Sequence, residues 1–188
     1  MKPHDQLVAI VEASPQFMSW LAAVASLRLR SWCIGAGAVR NLVWDRLHHY
    51  AEPSEVGDVD VAYFDSDDVG SSSERMLQAA LQRNFPEVPW EVTNQAAVHT
   101  WFEAYFGHPV APLRSLEEAV ASWPEYATCV GVTLNASSEV QVIAPWGLHD
   151  LFDIKVRRNP TRVSLETYRQ RTKSKQYLQR WPMATVEA

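Results

Sequence analysis

Two aspartates separated by one valine, Asp58 and Asp60, point most directly to chemistry in this sequence. They lie in the stretch Gly57–Asp68, which holds five carboxylates in twelve residues. In a strand, residues i and i+2 face the same side, so the two carboxylates would lie side by side and raise each other's pKa. A divalent cation removes that cost, because Mg²⁺ binds carboxylate oxygens and keeps waters and substrate phosphates as its other ligands. A pair of such ions is typical of phosphoryl transfer.

A third acid is the expected partner of this pair. Glu91 lies between Trp90 and Val92 in a short predicted strand, and a two-ion site usually takes an acid from a second strand. The alternative interpretation of Glu91 is a glutamate on the solvated face of a strand.

A turn of small residues precedes the acids. The stretch Cys33–Asn41 predicts a strand, a turn at Gly35, Ala36 and Gly37, and the start of a helix. Small residues let backbone N–H groups approach a phosphate, and the helix N-terminus favours an anion. Arg40 offers a forked donor to the same phosphate. Together with the paired acids, this turn predicts a site for an NTP and its metal ions.

Further candidates for nucleotide binding lie later in the chain. Asn94 follows the strand of the third acid and is a candidate for holding the base, the ribose or the acceptor. Arg171 and Lys175 share one face of the last predicted helix and could reach the triphosphate, with a solvated basic face as the alternative. Three tryptophans could stack on a base or belong to the core: Trp44, Trp101 and Trp146.

The elements that must position these residues indicate a mixed α+β fold. Periodicity and capping predict strands at residues 31–35, 59–64, 90–92, 127–134 and 139–143, the last two as a hairpin. Helices are predicted at 4–13, 15–29, 38–49, 72–83, 96–106, 115–123, 149–156 and 164–179. We expect a single domain with a small mixed sheet, its core at about residues 31–145, flanked by helical segments at 1–30 and 146–188.

The composition is that of an ordinary globular chain. The 188 residues carry a formal net charge of −5. This charge argues against extended, non-specific binding of nucleic acid, because such binding needs many contacts from Lys and Arg to phosphates. The two cysteines lie far apart and show no metal-binding spacing. No signal peptide or membrane span is predicted, so we expect a cytoplasmic protein without a membrane partner.

In their order along the chain, these motifs resemble the polymerase-β-like nucleotidyltransferase superfamily. They are more closely similar to a bacterial family of small nucleotidyltransferases. Five stretches carry the resemblance: GAGAVRNLVWD at 35–45, DVDVAYFD at 58–65, WEVTNQAAVH at 90–99, APWGLHDLF at 144–152, and residues 168–182.

The resemblance implies a site made of the residues already described. It implies that Asp58 and Asp60 bind two Mg²⁺ ions, that Glu91 completes the site, and that the turn from residue 35 to residue 40 holds the triphosphate. One departure concerns the serine that often follows the first glycine and binds phosphate. Ala36 and Ala38 cannot replace its hydroxyl.

The expected activity is a Mg²⁺-dependent transfer of NMP from an NTP to an acceptor hydroxyl, with release of pyrophosphate. The net charge favours a small molecule or a protein as the acceptor over a long nucleic acid. One alternative is a non-catalytic nucleotide-binding or toxin–antitoxin module of the same fold. Another is a dinucleotide-binding oxidoreductase, since Asp58 follows Gly35 and Gly37 by about 20 residues. The oxidoreductase is disfavoured because Arg40 occupies the position of its third glycine.

Overall fold

A five-stranded mixed sheet lies at the centre of this computed structural model, which describes residues 1–187. The strand order is β3-β2-β1-β4-β5, with β2 and β3 parallel and the other neighbouring pairs antiparallel. The strands are β1 Trp32–Gly35, β2 Val59–Tyr63, β3 Trp90–Asn94, β4 Gly131–Leu134 and β5 Val140–Ile143. The small mixed sheet expected from the sequence is therefore confirmed, including the hairpin of β4 and β5.

Helices surround this sheet and begin near the predicted caps. Ser14, Ser115 and Ser164 each accept a hydrogen bond from a backbone N–H three residues later, which satisfies a donor that the helix itself leaves free. A short parallel pair also forms from β6 Lys155–Val156 and β7 Thr185–Val186. The helices are α1 Pro3–Glu12, α2 Pro15–Ala25, α3 Ala36–Leu47, α4 Ser71–Asn84, α5 Val98–Phe106, α6 Leu116–Ala121, α7 His149–Phe152, α8 Leu165–Lys175 and α9 Tyr177–Arg180.

The last predicted helix is not continuous, and the prediction of one helix over 164–179 is wrong. It breaks at Gln176, whose φ of 50° lies in the left-handed region. Tyr168 and Tyr177 are both buried, yet nine residues of unbroken helix would turn them to opposite faces. The break between α8 and α9 lets both tyrosines enter the core.

The core joins the terminal helices to the sheet. Buried side chains from α1 and α2, from the sheet and from the C-terminal segment form one cluster, which includes Leu7, Leu21, Val61, Trp44 and Trp181. The indole rings of Trp44 and Trp181 meet edge to face with their centroids 5.2 Å apart. This packing holds α3, and therefore the turn that precedes it, against the C-terminal helices.

Within residues 1–187, no individual helix combines the length and apolarity needed to cross a membrane, and only the bent pair of α1 and α2 meets both criteria when taken together.

Candidate active site

Three acids converge at one edge of the sheet. Asp60 and Glu91 are register partners on the parallel strands β2 and β3, and Asp58 immediately precedes β2. One carboxylate oxygen from each of the three lies within 4.8 Å of the others. Val59 and Val61 are buried on the opposite side of β2, so strand alternation turns the acids away from that part of the core.

The electrostatics of this cluster are unfavourable without a cation. Burial and the carboxylates of Asp58 and Glu91 raise the pKa of Asp60 from 3.8 to about 7, while Lys175 and Arg171 act in the opposite direction. Asp60 is therefore partly protonated at neutral pH, and a cation bound beside it would favour its ionised form. A compact set of hard oxygen donors that repel one another fits a divalent cation such as Mg²⁺.

The start of α3 lies directly against the acids. A Cβ atom at Gly37 would lie 3.7 Å from a carboxylate oxygen of Asp58 and 3.7 Å from the guanidinium of Arg40. Ala36 adopts a φ of 51°, an unfavourable conformation for alanine, and its N–H donates to the carbonyl of Val130 over 3.1 Å. The next N–H groups of α3 have no acceptor within the helix, so they are available to an anion.

Gly35 has a packing role beside this turn. A Cβ at this position would collide with the indole ring of Trp123 and lie 3.0 Å from the carbonyl oxygen of Val130. Gly35 does not line the cavity beside the acids, whereas Trp123 does. The glycine therefore contributes to the site by letting the indole approach the end of β1.

A cavity of about 630 Å³ opens beside the acids. Part of its lining is formed by the start of α3 and by α8, and includes Gly37, Arg171 and Lys175. We call this part the cationic wall. The other wall comes from the segment after β3, with large rings that include Trp101 and Tyr105. The three acids line the same cavity.

Arg171 is held in place by a residue that the sequence analysis missed. Its Nε donates to Oε1 of Glu125 over 3.0 Å, and Glu125 is only 1% exposed. The hydroxyl of Thr128 donates to the same carboxylate over 3.1 Å. Two features of the sequence could have indicated this pair. Glu125 is the one acid in the apolar stretch 119–130, and α8 is rich in basic residues that need acidic partners.

Arg40 lines the cavity, but the hydrogen bonds of its guanidinium group go to other protein side chains. Nε and Nη2 donate to Oδ1 of Asn41, and Nη1 donates to the hydroxyl of Tyr177. The guanidinium carbon lies 5.0–5.5 Å from the ring centroids of Trp44, Tyr177 and Trp181. Arg40 therefore joins α3 to the C-terminal helices at the back of the cavity.

Asn94 lies outside the cavity, contrary to its predicted place beside the nucleotide. Its amide oxygen accepts from the N–H groups of Asp65 and Ala96, and its amide nitrogen donates to the carbonyls of Asp65 and Asp68. The side chain is 1% exposed. It ties the loop after β2 to the end of β3, because that loop has backbone groups without partners in the sheet.

Of the three candidate tryptophans, one lies in the cavity. Trp44 is fully buried in the core, and Trp146 is exposed outside the cavity, where its Nε1 donates to the carbonyl of Ala121. Trp101 lines the cavity and is 41% exposed.

This fold, with three clustered acids beside a helix start, defines a nucleotidyltransferase of the polymerase-β-like class. The chain belongs to a nucleotidyltransferase family, whose model matches residues 22–186. It is a transferase that uses an NTP as the donor of a nucleotidyl group. This family assignment does not agree with the disfavoured alternative, a dinucleotide-binding oxidoreductase.

Solved structures agree with this assignment. The chain is similar to an NMR structure described as revealing a CCA-adding enzyme head domain, with a TM-score of 0.80, 29% identity, and coverage of 95% of this chain and 94% of that chain. Two apo forms of a tRNA-processing enzyme match with a TM-score of 0.51 and 18% and 17% identity, which shows the fold alone. The matches cover 42% and 44% of those chains. No curated protein matches the chain.

Proposed function

We propose that this enzyme transfers NMP from a Mg²⁺-bound NTP to an acceptor hydroxyl and releases pyrophosphate. The observation that carries the proposal is the convergence of Asp58, Asp60 and Glu91 within 4.8 Å, beside the start of α3 and the cations of α8. The reaction consumes an intracellular nucleotide, so the proposed compartment is the cytoplasm, in line with the bacterial family that the sequence resembles.

The three acids would hold two Mg²⁺ ions. Asp58 and Asp60 would come from the segment at β2, and Glu91, on the outer strand β3, would complete the ligand set. When bound, the ions neutralise phosphate charge and favour the ionised form of the attacking hydroxyl. Glu91 is the exposed member of the three, and its carboxylate would pass the proton of that hydroxyl to solvent.

The cationic wall would bind the triphosphate. Arg171 and Lys175 lie close enough to the acids to act on the pKa of Asp60 in the lowering direction, and Gly37, at the start of α3, lines the same cavity. Gly35 and Ala36 form this turn, and Arg40 connects the helix that follows it to Tyr177. In the transfer step, the acceptor oxygen bonds to the α-phosphorus, and the bond from that phosphorus to the bridging oxygen breaks. The pyrophosphate then leaves toward Arg171 and Lys175.

The proposed acceptor is a small molecule or a protein. The net charge of −5 disfavours the many phosphate contacts that a long nucleic acid needs. The similarity to a CCA-adding enzyme head domain makes the 3′ end of a tRNA the second candidate.

Thermal melting with each of the four NTPs, with and without Mg²⁺, tests the proposal. A ligand at 100 times its Kd stabilises the folded state by about 2.7 kcal/mol, which corresponds to about 5–10 °C for a chain of this size. We expect such a shift only when an NTP and Mg²⁺ are both present, and we expect the double variant Asp58→Asn/Asp60→Asn to lose it. Glu12→Gln, an exposed acid on α1, is the control and should keep the shift. A shift that persists in the double variant, or no shift with any NTP, contradicts the proposal.

A further inference from the structure

Large exposed rings line part of the cavity that contains the acids. Trp101, Tyr105 and Phe106 of α5 are 41%, 78% and 41% exposed, and all three line the cavity that contains the acids. The rings contact one another, with centroids 6.4 Å apart for Trp101 and Tyr105 and 4.7 Å apart for Tyr105 and Phe106. Apolar rings that face solvent together inside a cavity mark a binding surface. We call these three side chains the aromatic wall.

The topology connects the aromatic wall to β3, the strand that carries Glu91. The sheet order is β3-β2-β1, so Glu91 on β3 is outermost, Asp60 on β2 is next, and the turn at Gly37 follows β1 on the far side. The chain runs from β3 through residues 95–97 directly into α5. The aromatic wall therefore follows the strand that carries Glu91, whereas the turn at Gly37 follows β1, two strands away.

The geometry of the transfer assigns these two walls to different partners. Attack on the α-phosphorus is in line, so the acceptor hydroxyl must approach opposite the departing pyrophosphate. The pyrophosphate carries the negative charge and belongs on the side of Arg171 and Lys175. Because the triphosphate is proposed to bind at the turn at Gly37, beyond β1, the acceptor then approaches from the side of β3, whose chain continues into the aromatic wall.

The chemistry of the aromatic wall favours a ring over a phosphate chain. Arg162 is the arginine beside these rings, and the imidazole of His108 also lines the cavity there. Arg162 is already engaged, because its Nη2 donates to the carbonyl of Ala111 over 2.6 Å and its guanidinium lies over the ring of Phe102. A nucleic-acid strand needs several phosphate contacts, whereas a single planar ring needs only stacking surfaces.

Resting on the proposed function, we propose that the aromatic wall is the acceptor site and binds a small molecule whose hydroxyl is on or beside a planar ring. Stacking on Trp101 and Tyr105 holds the ring, and the hydroxyl then lies at the Glu91 side of the acid cluster. The cavity of about 630 Å³ has room for such a ring beside a nucleotide.

Transfer assays with an α-labelled NTP and Mg²⁺ test this inference. The acceptors are two ring compounds, tyrosinamide and adenosine, two non-planar polyols, glucose and myo-inositol, and a tRNA transcript that ends before CCA. We expect labelled product with at least one ring compound and a kcat/KM at least about ten-fold above that of the polyols, which is the size of one stacking contact.

Variants of the aromatic wall separate the acceptor from the donor. Trp101→Ala should lower kcat/KM for the ring acceptor at least about ten-fold, mainly through KM, while Trp101→Phe keeps most of the activity. Both should keep the melting shift with NTP and Mg²⁺. Trp146→Ala is the matched control, because Trp146 is also an exposed tryptophan, at 53%, but lies outside the cavity.

Three outcomes would overturn the acceptor assignment. If Trp101→Ala abolishes the melting shift, the aromatic wall holds the base of the NTP. If the tRNA transcript or a polyol is used and no ring compound is, the acceptor belongs to another class. If no acceptor is labelled although the wild-type shift depends on Asp58 and Asp60, the inference fails while the donor site stands. Absence of any wild-type shift would instead remove the proposed function, and the inference with it.

Discussion

The carboxylate of Glu125, which is 1% exposed, accepts a 3.0 Å hydrogen bond from Arg171 on α8. The pair anchors α8 to the segment before β4 and leaves Arg171 on the wall of the cavity. Arg171 and Lys175 both lower the pKa of Asp60, so this anchor also sets the field at the acid cluster. A buried ion pair that orients a cation toward a site acts on binding as well as on folding.

Replacing Glu125 should therefore affect stability and nucleotide binding together. Glu125→Ala removes one partner of a buried pair, and we expect a loss of about 3 kcal/mol, or about 6–12 °C in Tm. We also expect a smaller melting shift with NTP and Mg²⁺, because Arg171 is no longer held. Glu118→Ala is the control, since the Arg114–Glu118 pair is exposed and should contribute much less to stability than the buried pair. Equal losses in the two variants would contradict the role of the buried pair.

Asp60 should make the folded state less stable as the pH rises toward 7. Its pKa is raised from 3.8 to about 7, so the folded state holds this proton more tightly than the unfolded state. Without a metal, the free energy of unfolding should fall as the pH rises between these values. Asp60→Asn removes this contribution, so at pH 8 in EDTA its Tm should exceed that of the wild type.

Melting of the two proteins from pH 4 to pH 8.5, in EDTA and in Mg²⁺, measures the effect. The difference in Tm in EDTA should grow in favour of Asp60→Asn up to about pH 7 and then level off. Mg²⁺ should raise the Tm of the wild type at high pH and leave the Tm of the variant unchanged. Parallel pH profiles for the two proteins would show that Asp60 titrates normally.

Gly35 should tolerate no side chain. Its backbone φ of −146° is open to any residue, so the limit is space alone. Gly35→Ala drives a Cβ into Trp123, and overpacking of this kind costs about 1–3 kcal/mol. Gly57→Ala is the control, because a Cβ there meets nothing within 4 Å. Urea unfolding of both variants measures the difference, and equal midpoints would show that the indole moves aside at no cost.

Arg40 should not be replaceable by lysine. The guanidinium contacts three aromatic rings and donates twice to Asn41, and an ammonium group cannot reproduce this planar geometry. We expect Arg40→Lys to lower the free energy of unfolding by about 2 kcal/mol. Arg46→Lys, at an exposed position of the same helix, should change it by less than about 0.5 kcal/mol. The comparison is made by urea unfolding without nucleotide, and indistinguishable variants would refute the role of the ring contacts.

The features that the sequence determined by itself depend on short-range geometry. Alternation along a strand is enough to place Asp58 and Asp60 on one side, and the caps at Ser14 and Ser115 need only the next few residues. The turn between β1 and α3 could likewise be predicted, because strand, small residues and helix follow one another directly.

The tertiary structure decided which polar groups face the cavity and which are used within the fold. Arg171 and Glu125 are 46 residues apart, and Arg40 and Tyr177 are 137 residues apart, so no local pattern predicts either contact. Asn94 looked like a ligand in the sequence but satisfies the backbone of a neighbouring loop. A buried polar side chain forms hydrogen bonds with the groups that packing places next to it. For these residues, those groups come from distant segments that meet only in the folded chain.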